Sequence, residues 1–420
     1  MKYDVIIIGG GAAGFFTAIN LANEAQHFKI AILERSKEVL NKVRISGGGR
    51  CNVTHAEFMP KPLTQNYPRG ERELLGPFHH FMTGDTMAWF EERGVELKVE
   101  EDGRVFPVTD SSQTIIDCFL EEANRLNIDI LTGEAVKNLT KTGKNWHLET
   151  KNSVFICQYL VLATGSNPKM WKLLEHSGHA VIAPVPSLFT FNIKDKRITD
   201  LPGVATNAFV ELLDEKENIL KLKDGGRADR GGSTGPLLIT HWGMSGPAIL
   251  KLSAWGAIAL HQDQYKFKIR VNWLPQLERE VIYENLQQFK LDYARQLVTT
   301  YSQFELSKRL WKNLVEASAI NANARWADLN REQLNNLCDE LHAGIFRVNG
   351  KSTFKEEFVT AGGVDLKEVN FKTFESKVIP AIFFAGEVLN VDAITGGFNF
   401  QNAWTSGFLA AKGIIAASAD

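Results

Sequence analysis

The chain has 420 residues, 44% of them apolar and 23% charged, with a formal net charge of −2. That length holds two or three domains with sizeable cores, and the near-neutral charge supplies no global field for nucleic acid or anionic membranes. No apolar stretch is long enough to span a bilayer, and four cysteines without a C-x-x-C pair argue against a dithiol reductase or a zinc ribbon and suit a reducing cytosol.

Residues 5–8, Val-Ile-Ile-Ile, read as a buried parallel strand. The run passes through Gly9-Gly10-Gly11-Ala12-Ala13-Gly14 into a predicted helix over 12–25. Gly9, Gly11 and Gly14 hold the G-x-G-x-x-G positions. The first makes the tight turn, the second lets a pyrophosphate approach the backbone, and the third lets helix and strand pack closely. The helix start at Ala12 and Ala13 attracts phosphate charge. A second apolar strand over 30–33 ends in Glu34, followed by Arg35. Glu34 lies where a carboxylate accepts hydrogen bonds from an adenosine ribose. Lys2 before an apolar run imitates a signal peptide, but Asp4 and the triple glycine interrupt it, and strand-turn-helix explains it better.

From Arg35 to about residue 55 the chain reads as a loop containing Lys42, Arg44 and Ser46-Gly47-Gly48-Gly49-Arg50-Cys51-Asn52. Three successive glycines let backbone N–H groups converge into an anion-binding nest. Lys42 and Arg50 add positive charge, and Arg50 can pair bidentately with a phosphate. The run Ile45-Ser46-Gly47-Gly48-Gly49-Arg50-Cys51-Asn52-Val53-Thr54 resembles the signature of a bacterial, YhiN-like FAD flavoprotein family. That family includes aminoacetone oxidase and the BaiN-type enone reductase of bile-acid metabolism. The resemblance continues in Gly103-Arg104-Val105-Phe106-Pro107, in Thr240-His241-Trp242-Gly243-Met244-Ser245-Gly246-Pro247, and in Gly386-Glu387 with Thr395-Gly396-Gly397-Phe398-Asn399, so it spans almost the whole chain. Arg44, in place of an aliphatic residue, and Asn390, in place of an acidic one, depart from the pattern.

Further along, residues 56–77 read as polar loop and 78–93 as helix. Residues 96–106 form a hairpin about Asp102-Gly103. Ser111 or Ser112 caps a helix reaching about 126. A strand over 128–131 leads to Ala135-Val136, and the resemblance implies that the backbone at Val136 faces adenine. A hairpin over 146–156 and a strand over 159–163 end in Thr164-Gly165, a small-residue turn that lets the chain pass close to a dinucleotide.

Pro184-Val185-Pro186 marks a boundary. Beyond it, 188–193, 209–213, 219–222, 237–240 and 267–271 alternate as short strands, and 276–342 turns helical. The basic run 221–230 contains Asp224, Gly225, Gly226 and Asp229, which suits a solvated hairpin better than an RNA-binding stripe. The expected organisation is a discontinuous Rossmann-like FAD-binding domain of the glutathione-reductase βαβ type (1–183 plus 350–420). It is interrupted by a β-rich domain (184–273 plus about 343–349) and a helical subdomain (274–342). A last strand over 381–385 reaches Gly386-Glu387, and a helix runs from about 399 to 417. The resemblance implies that this helix start points at the flavin, with Gly386, Glu387, Asp392, Gly396, Gly397, Phe398 and Asn399 around it. Glu387 and Asp392 are then expected on ribityl hydroxyls.

The distant C-terminal motifs favour FAD over NAD, and no second G-x-G-x-x-G follows a strand. NADH or NADPH is therefore expected only as a transient donor. His241 is the candidate acid–base residue, expected on a loop over the flavin. Cys51 is expected as a small residue packed beside the flavin rather than a redox thiol. The reading is an FAD-dependent oxidoreductase acting on a small molecule. It either oxidises an amine or amino-ketone with oxygen or reduces an activated C=C bond with a nicotinamide, donor and acceptor taking turns at one flavin face. A flavin-dependent tRNA methyltransferase and a non-catalytic redox sensor are the alternatives, the first disfavoured by the lack of a basic stripe. No metal, membrane or nucleic-acid partner is expected, and the oligomeric state is left open.

Overall fold

The four apolar residues Val5–Ile8 (β1) are buried because the strand lies inside a parallel sheet, between Ile30–Glu34 (β2) and Tyr159–Leu162. The computed structural model describes residues 1–220, 222, 231–352 and 359–419. The sheet runs in the order Val369–Asn370, Glu375–Ser376, Ile382–Phe384, Tyr159–Leu162, β1, β2, Asp129–Thr132. Ile382–Phe384 through Asp129–Thr132 are parallel, and two short antiparallel strands extend one edge. Continuous apolar strands are what a sheet covered on both faces requires.

Helix Ala12–Glu24 (α1) connects β1 to β2 and packs along the C-terminal helix Phe398–Ala419. Small residues make that approach close: a Cβ on Gly407 would lie 2.9 Å from the Thr17 hydroxyl. Phe16 joins the two helices to the aromatic core, with ring centroids 4.6 Å from Trp89 and 5.2 Å from Trp404. Such pairs contribute about 0.5–1.5 kcal/mol each beyond burial.

The chain divides into two units, Met1–Val185 with Lys355–Asp420, and Pro186–Phe354. The second unit carries an antiparallel sheet in the order Gly344–Asn349, Lys266–Asn272, Ala205–Leu213, Gly232–Ile239, Gly243–Ser245, Thr190–Asn192, Lys351–Ser352. Pro247 opens the helix Pro247–Trp255 at its first turn, as its fixed φ favours. Helices Arg279–Asp292, Lys308–Ala317 and Arg331–Ala343 occupy the stretch expected to be helical and fall in this unit.

Several expectations needed correction. The presumed loop after Arg35 contains a helix, Asn41–Gly49 (α2), because Leu40 and Val43 are buried, with Leu40 N–H bonded to Gly10 O at 2.8 Å. The helix expected over 78–93 is Leu75–Phe78 followed by Thr83–Glu91, since the Met82 N–H is taken by the Asp85 carboxylate at 2.8 Å, which starts a new helix. Strand Asn138–Thr142 pairs with Asn145–Glu149 and makes the expected hairpin three-stranded. Helix Pro168–His176 was not anticipated, although Asn167 caps it through its side chain and Pro168 opens it. Except for Leu222, the basic run 221–230 lies outside the described residues.

Candidate functional site

The β1–α1 turn is shaped by close backbone approach. Gly9 has φ +116°, and a Cβ there would overlap the Ala163 carbonyl; a Cβ on Gly14 would overlap the Gly9 carbonyl. A Cβ on Gly11 would meet nothing within 4 Å. The turn is thus tight at two glycines and open at the third, the pattern a pyrophosphate needs. Gly11 caps α1 without a side-chain bond, and no acidic residue occupies the first turn. The free N–H groups and about half a positive charge at this helix start remain available to an anion.

Glu34 stands beside that turn. Its carboxylate accepts from Gly10 N–H and from Ser36 N–H, both at 2.8 Å. Two bonds leave lone pairs on both oxygens for ribose hydroxyls. Glu134 N–H binds Glu34 O at 2.9 Å, which brings the stretch leading to half-buried Val136 alongside. Arg35 is exposed.

In α2 the helix breaks at Ser46, and Gly47, Gly48 and Gly49 follow with φ +57°, +70° and +85°. Three consecutive left-handed residues are accessible without strain only to glycine. A Cβ on Gly48 or Gly49 would meet open space. The turn closes through Cys51 N–H to Ser46 O at 3.0 Å. Arg50 does not stand free for a phosphate. Its guanidinium binds Glu100 at 2.6 Å and Asp110 at 3.3 Å and lies 3.9 Å over the Phe106 ring. Cys51 is fully buried, and burial pushes its thiol up to about 12. A neutral buried thiol is a packing group, not a nucleophile.

The C-terminal motif meets these segments. Lys42 Nζ pairs with Glu387 at 2.7 Å, and the Cβ position of Gly165 lies 3.7 Å from Glu387 and 3.9 Å from Lys42. A Cβ on Gly386 would touch Ala13 of α1 at 3.1 Å, and one on Gly397 would press on Thr54 at 2.5 Å. Phe398 is buried and stacks on His55 with centroids 4.5 Å apart. Half-buried Gly396 presents its carbonyl to His55 Nδ1 at 3.1 Å. Asn399 clasps Ala393 through both N–H and C=O, at 3.0 and 3.2 Å, so it ties its own loop. Asp392 is not open to a ribityl chain: its buried carboxylate is taken by Arg69 through Nε and Nη2.

The structure also uses residues that sequence reasoning passed over. Arg69 and Tyr67 lie in the presumed polar loop 56–77 and bind across more than 300 positions, to Asp392 and to Phe398 O. Gln401 accepts from Thr54 at 2.6 Å and Thr86 at 3.0 Å. No local sequence signal marks such pairs; the small residues Ala403, Gly407, Ala410 and Ala411 hint only that this helix packs closely.

The residues fit FAD. In addition to the open glycines, Asn52 Oδ1, Thr164 Oγ1 and Asn402 Oδ1 are among the buried side-chain atoms that lack a hydrogen-bond partner among the described residues. All three lie in or beside the segments expected to contact the cofactor, and an unmatched buried polar atom costs about 1–3 kcal/mol. His241 belongs to the second unit and is exposed, in the turn before Gly243.

A family model described as HI0933-like protein Rossmann domain matches residues 3–413. The chain is 28% identical to a ribosomal RNA dihydrouridine synthase of Haemophilus influenzae, over 97% of this chain and 98% of that one. It is also 28% identical to a 3-dehydro-bile acid delta(4,6)-reductase of Clostridium scindens, over 97% of each. Among solved structures it is similar to the open conformation of a flavocytochrome c3 fumarate reductase, with TM-score 0.50 and 15% identity, covering 100% of this chain and 79% of that one. At that identity the likeness is one of fold.

Proposed function

The chain belongs to the HI0933-like Rossmann family of FAD-dependent oxidoreductases, and from that premise we propose that it reduces a C=C bond conjugated to a carbonyl, with NADH or NADPH as transient donor. The observation that carries the cofactor is the β1–α1 turn, closed at Gly9 and Gly14 and open at Gly11. FAD supplies the hydride chemistry when bound. In this reading the α1 start and Glu34 hold the ADP half, while Lys42, Glu387 and the start of the C-terminal helix hold the flavin half.

The direction is supported by the relatives. A dihydrouridine is a uridine with its ring C=C saturated, and a delta(4,6)-reductase acting on a 3-dehydro compound saturates C=C bonds conjugated to a ketone. Both names describe addition of two hydrogens beside a carbonyl. The sequence expectation of no nucleic-acid partner rested on the near-neutral charge and the lack of a basic stripe, both of which concern the phosphate backbone and not the chemistry at a single base. A uracil of ribosomal RNA is therefore a second substrate reading, beside a small enone.

The test is anaerobic. Protein reconstituted with FAD is mixed with NADH or NADPH, then with a 3-keto-4,6-diene steroid or an unmodified ribosomal RNA transcript. Flavin bleaching by the nicotinamide, followed by recolouring and product heavier by two hydrogens, is expected. Bleaching by amines alone, with oxygen as acceptor, would replace the proposal with an oxidase. An imidazole can move a proton near neutral pH, and that chemistry is what supports His241 as the acid–base residue. His241→Ala should keep its FAD and slow one half-reaction by about 10²–10⁴ in stopped-flow traces, the range for general acid–base catalysis; unaltered half-reactions would make it a surface residue.

A further inference from the structure

Segment 66–70 is tied to the stretch 387–398 at several points. Ile394 N–H donates to Asn66 O at 3.0 Å, and the Tyr67 hydroxyl donates to Phe398 O at 2.5 Å. Arg69 pairs with Asp392 along the backbone as an antiparallel bridge. A Cβ on Gly70 would lie 2.9 Å from Val391. The Arg69 side chain then grips Asp392 with Nε and Nη2, one to each carboxylate oxygen. Arg69 is 7% exposed and Asp392 fully buried. The remaining guanidinium nitrogen, Nη1, is buried and has no hydrogen-bond partner among the described residues.

A pair serving stability alone has no need of this arrangement. Apolar residues of similar volume do as well or better in such a place, and an unmatched buried donor is costly. We propose that Arg69 is a positioning residue for the flavin: gripped by Asp392, it fixes the loop between Glu387 and Gly396, and Asp392 cancels a buried cation that would otherwise bias reduction of the bound cofactor. The proposal rests on the FAD reading above. Reduction adds negative charge to a flavin, so a cation stripped of its balancing anion favours the reduced form.

Charge separates the informative variants. Asp392→Asn keeps the shape and leaves Arg69 unbalanced. Arg69→Met combined with Asp392→Leu removes both charges and fills the space. Arg69→Lys keeps both charges and loses the planar fork. Each full-length variant is reconstituted with FAD; its flavin dissociation constant, thermal midpoint and midpoint potential against a redox dye are measured. Asp392→Asn should shift the reduced-to-oxidised ratio at fixed potential about tenfold toward reduced, about 30 mV for a two-electron couple. The double variant should match the wild-type potential. Arg69→Lys should keep that potential and bind FAD about tenfold more weakly, a loss of about 1.4 kcal/mol in binding. Equal potentials in Asp392→Asn and the double variant, or wild-type affinity in Arg69→Lys, would overturn the proposal while FAD binding by the wild type stands. Failure of the wild-type protein to take up FAD would overturn the cofactor reading, and this proposal with it.

Discussion

Gly11 and Gly14 stand three positions apart and meet opposite demands. A methyl at position 14 overlaps the Gly9 carbonyl, whereas one at position 11 enters open space. Gly14→Ala should therefore destabilise the fold by about 1–3 kcal/mol, read as a lowered thermal midpoint. Gly11→Ala should stay within about 0.5 kcal/mol of wild type and yet bind FAD at least tenfold more weakly, a loss of about 1.4 kcal/mol. Equal melting of the two variants would contradict the geometry. Cys51 invites a second test. With its thiol pushed up to about 12 by burial, and all four cysteines buried, the native protein should resist iodoacetamide until denaturant is added; a fast adduct at Cys51 by mass spectrometry would show an exposed thiolate. The glycines and Glu34 were legible in the sequence because their demands are local, a φ value or a spacing from a turn. The partners of Arg50 and Asp392 were not, because a charge does not announce which opposite charge folding brings to it.

At the scale of elements, period and capping carried most of the reading. β1, β2, the hairpin at Gly103 and the helix capped by Ser111 follow from apolar runs and turn residues. What failed was short or tertiary. Residues 41–45 turn helical with Leu40 and Val43 buried, and a stretch that short ahead of a glycine run gives no period to read. Helix Pro168–His176 offered the usual signals, an Asn cap and a Pro start, in a window too short for its periodicity to register. Just beyond that helix, His179 is buried against Ser376, with Nε2 2.8 Å from the hydroxyl, and burial holds its imidazole below the ordinary histidine value. A depressed pKa means the unfolded chain binds the proton more readily. The contribution is therefore intact above about pH 6.5, the unfolded value, and is lost as pH falls from there through the lower folded value. Urea midpoints of the wild type should drop more steeply between about pH 7 and 5 than those of His179→Gln; parallel curves would remove His179 from the acid response.

On the scale of the whole molecule, the division between the two units falls between Val185 and Pro186, inside the run Pro184-Val185-Pro186. Proline-rich punctuation is visible locally, whereas the return point falls in residues without such a signal. Strand Val181–Ser187 lies beside Val359–Val364 in a two-stranded sheet, and the Cβ position of Gly362 is 2.7 Å from Pro184 Cα. The outgoing and returning chains are thus neighbours, and the cofactor residues expected from the sequence all belong to the first unit. Replacing residues 189–355 with a short Gly/Ser linker should leave a folded protein that still binds FAD, measured by flavin fluorescence and far-UV circular dichroism. Loss of binding with intact secondary structure would mean that the second unit contributes to the cofactor site.

The packing of α1 along the C-terminal helix has a consequence for biosynthesis. Phe15, Phe16 and Ile19 leave the ribosome early, and Phe398–Ala419, which α1 packs along, is translated some 380 residues later. At about 5–20 residues per second that is a wait of roughly 20–75 s with apolar surface uncovered. A chain stalled anywhere in that interval carries the β1–α1 turn without the helix that α1 packs along. Until that helix is made, the apolar face of α1 stays uncovered, the kind of surface that calls for a chaperone.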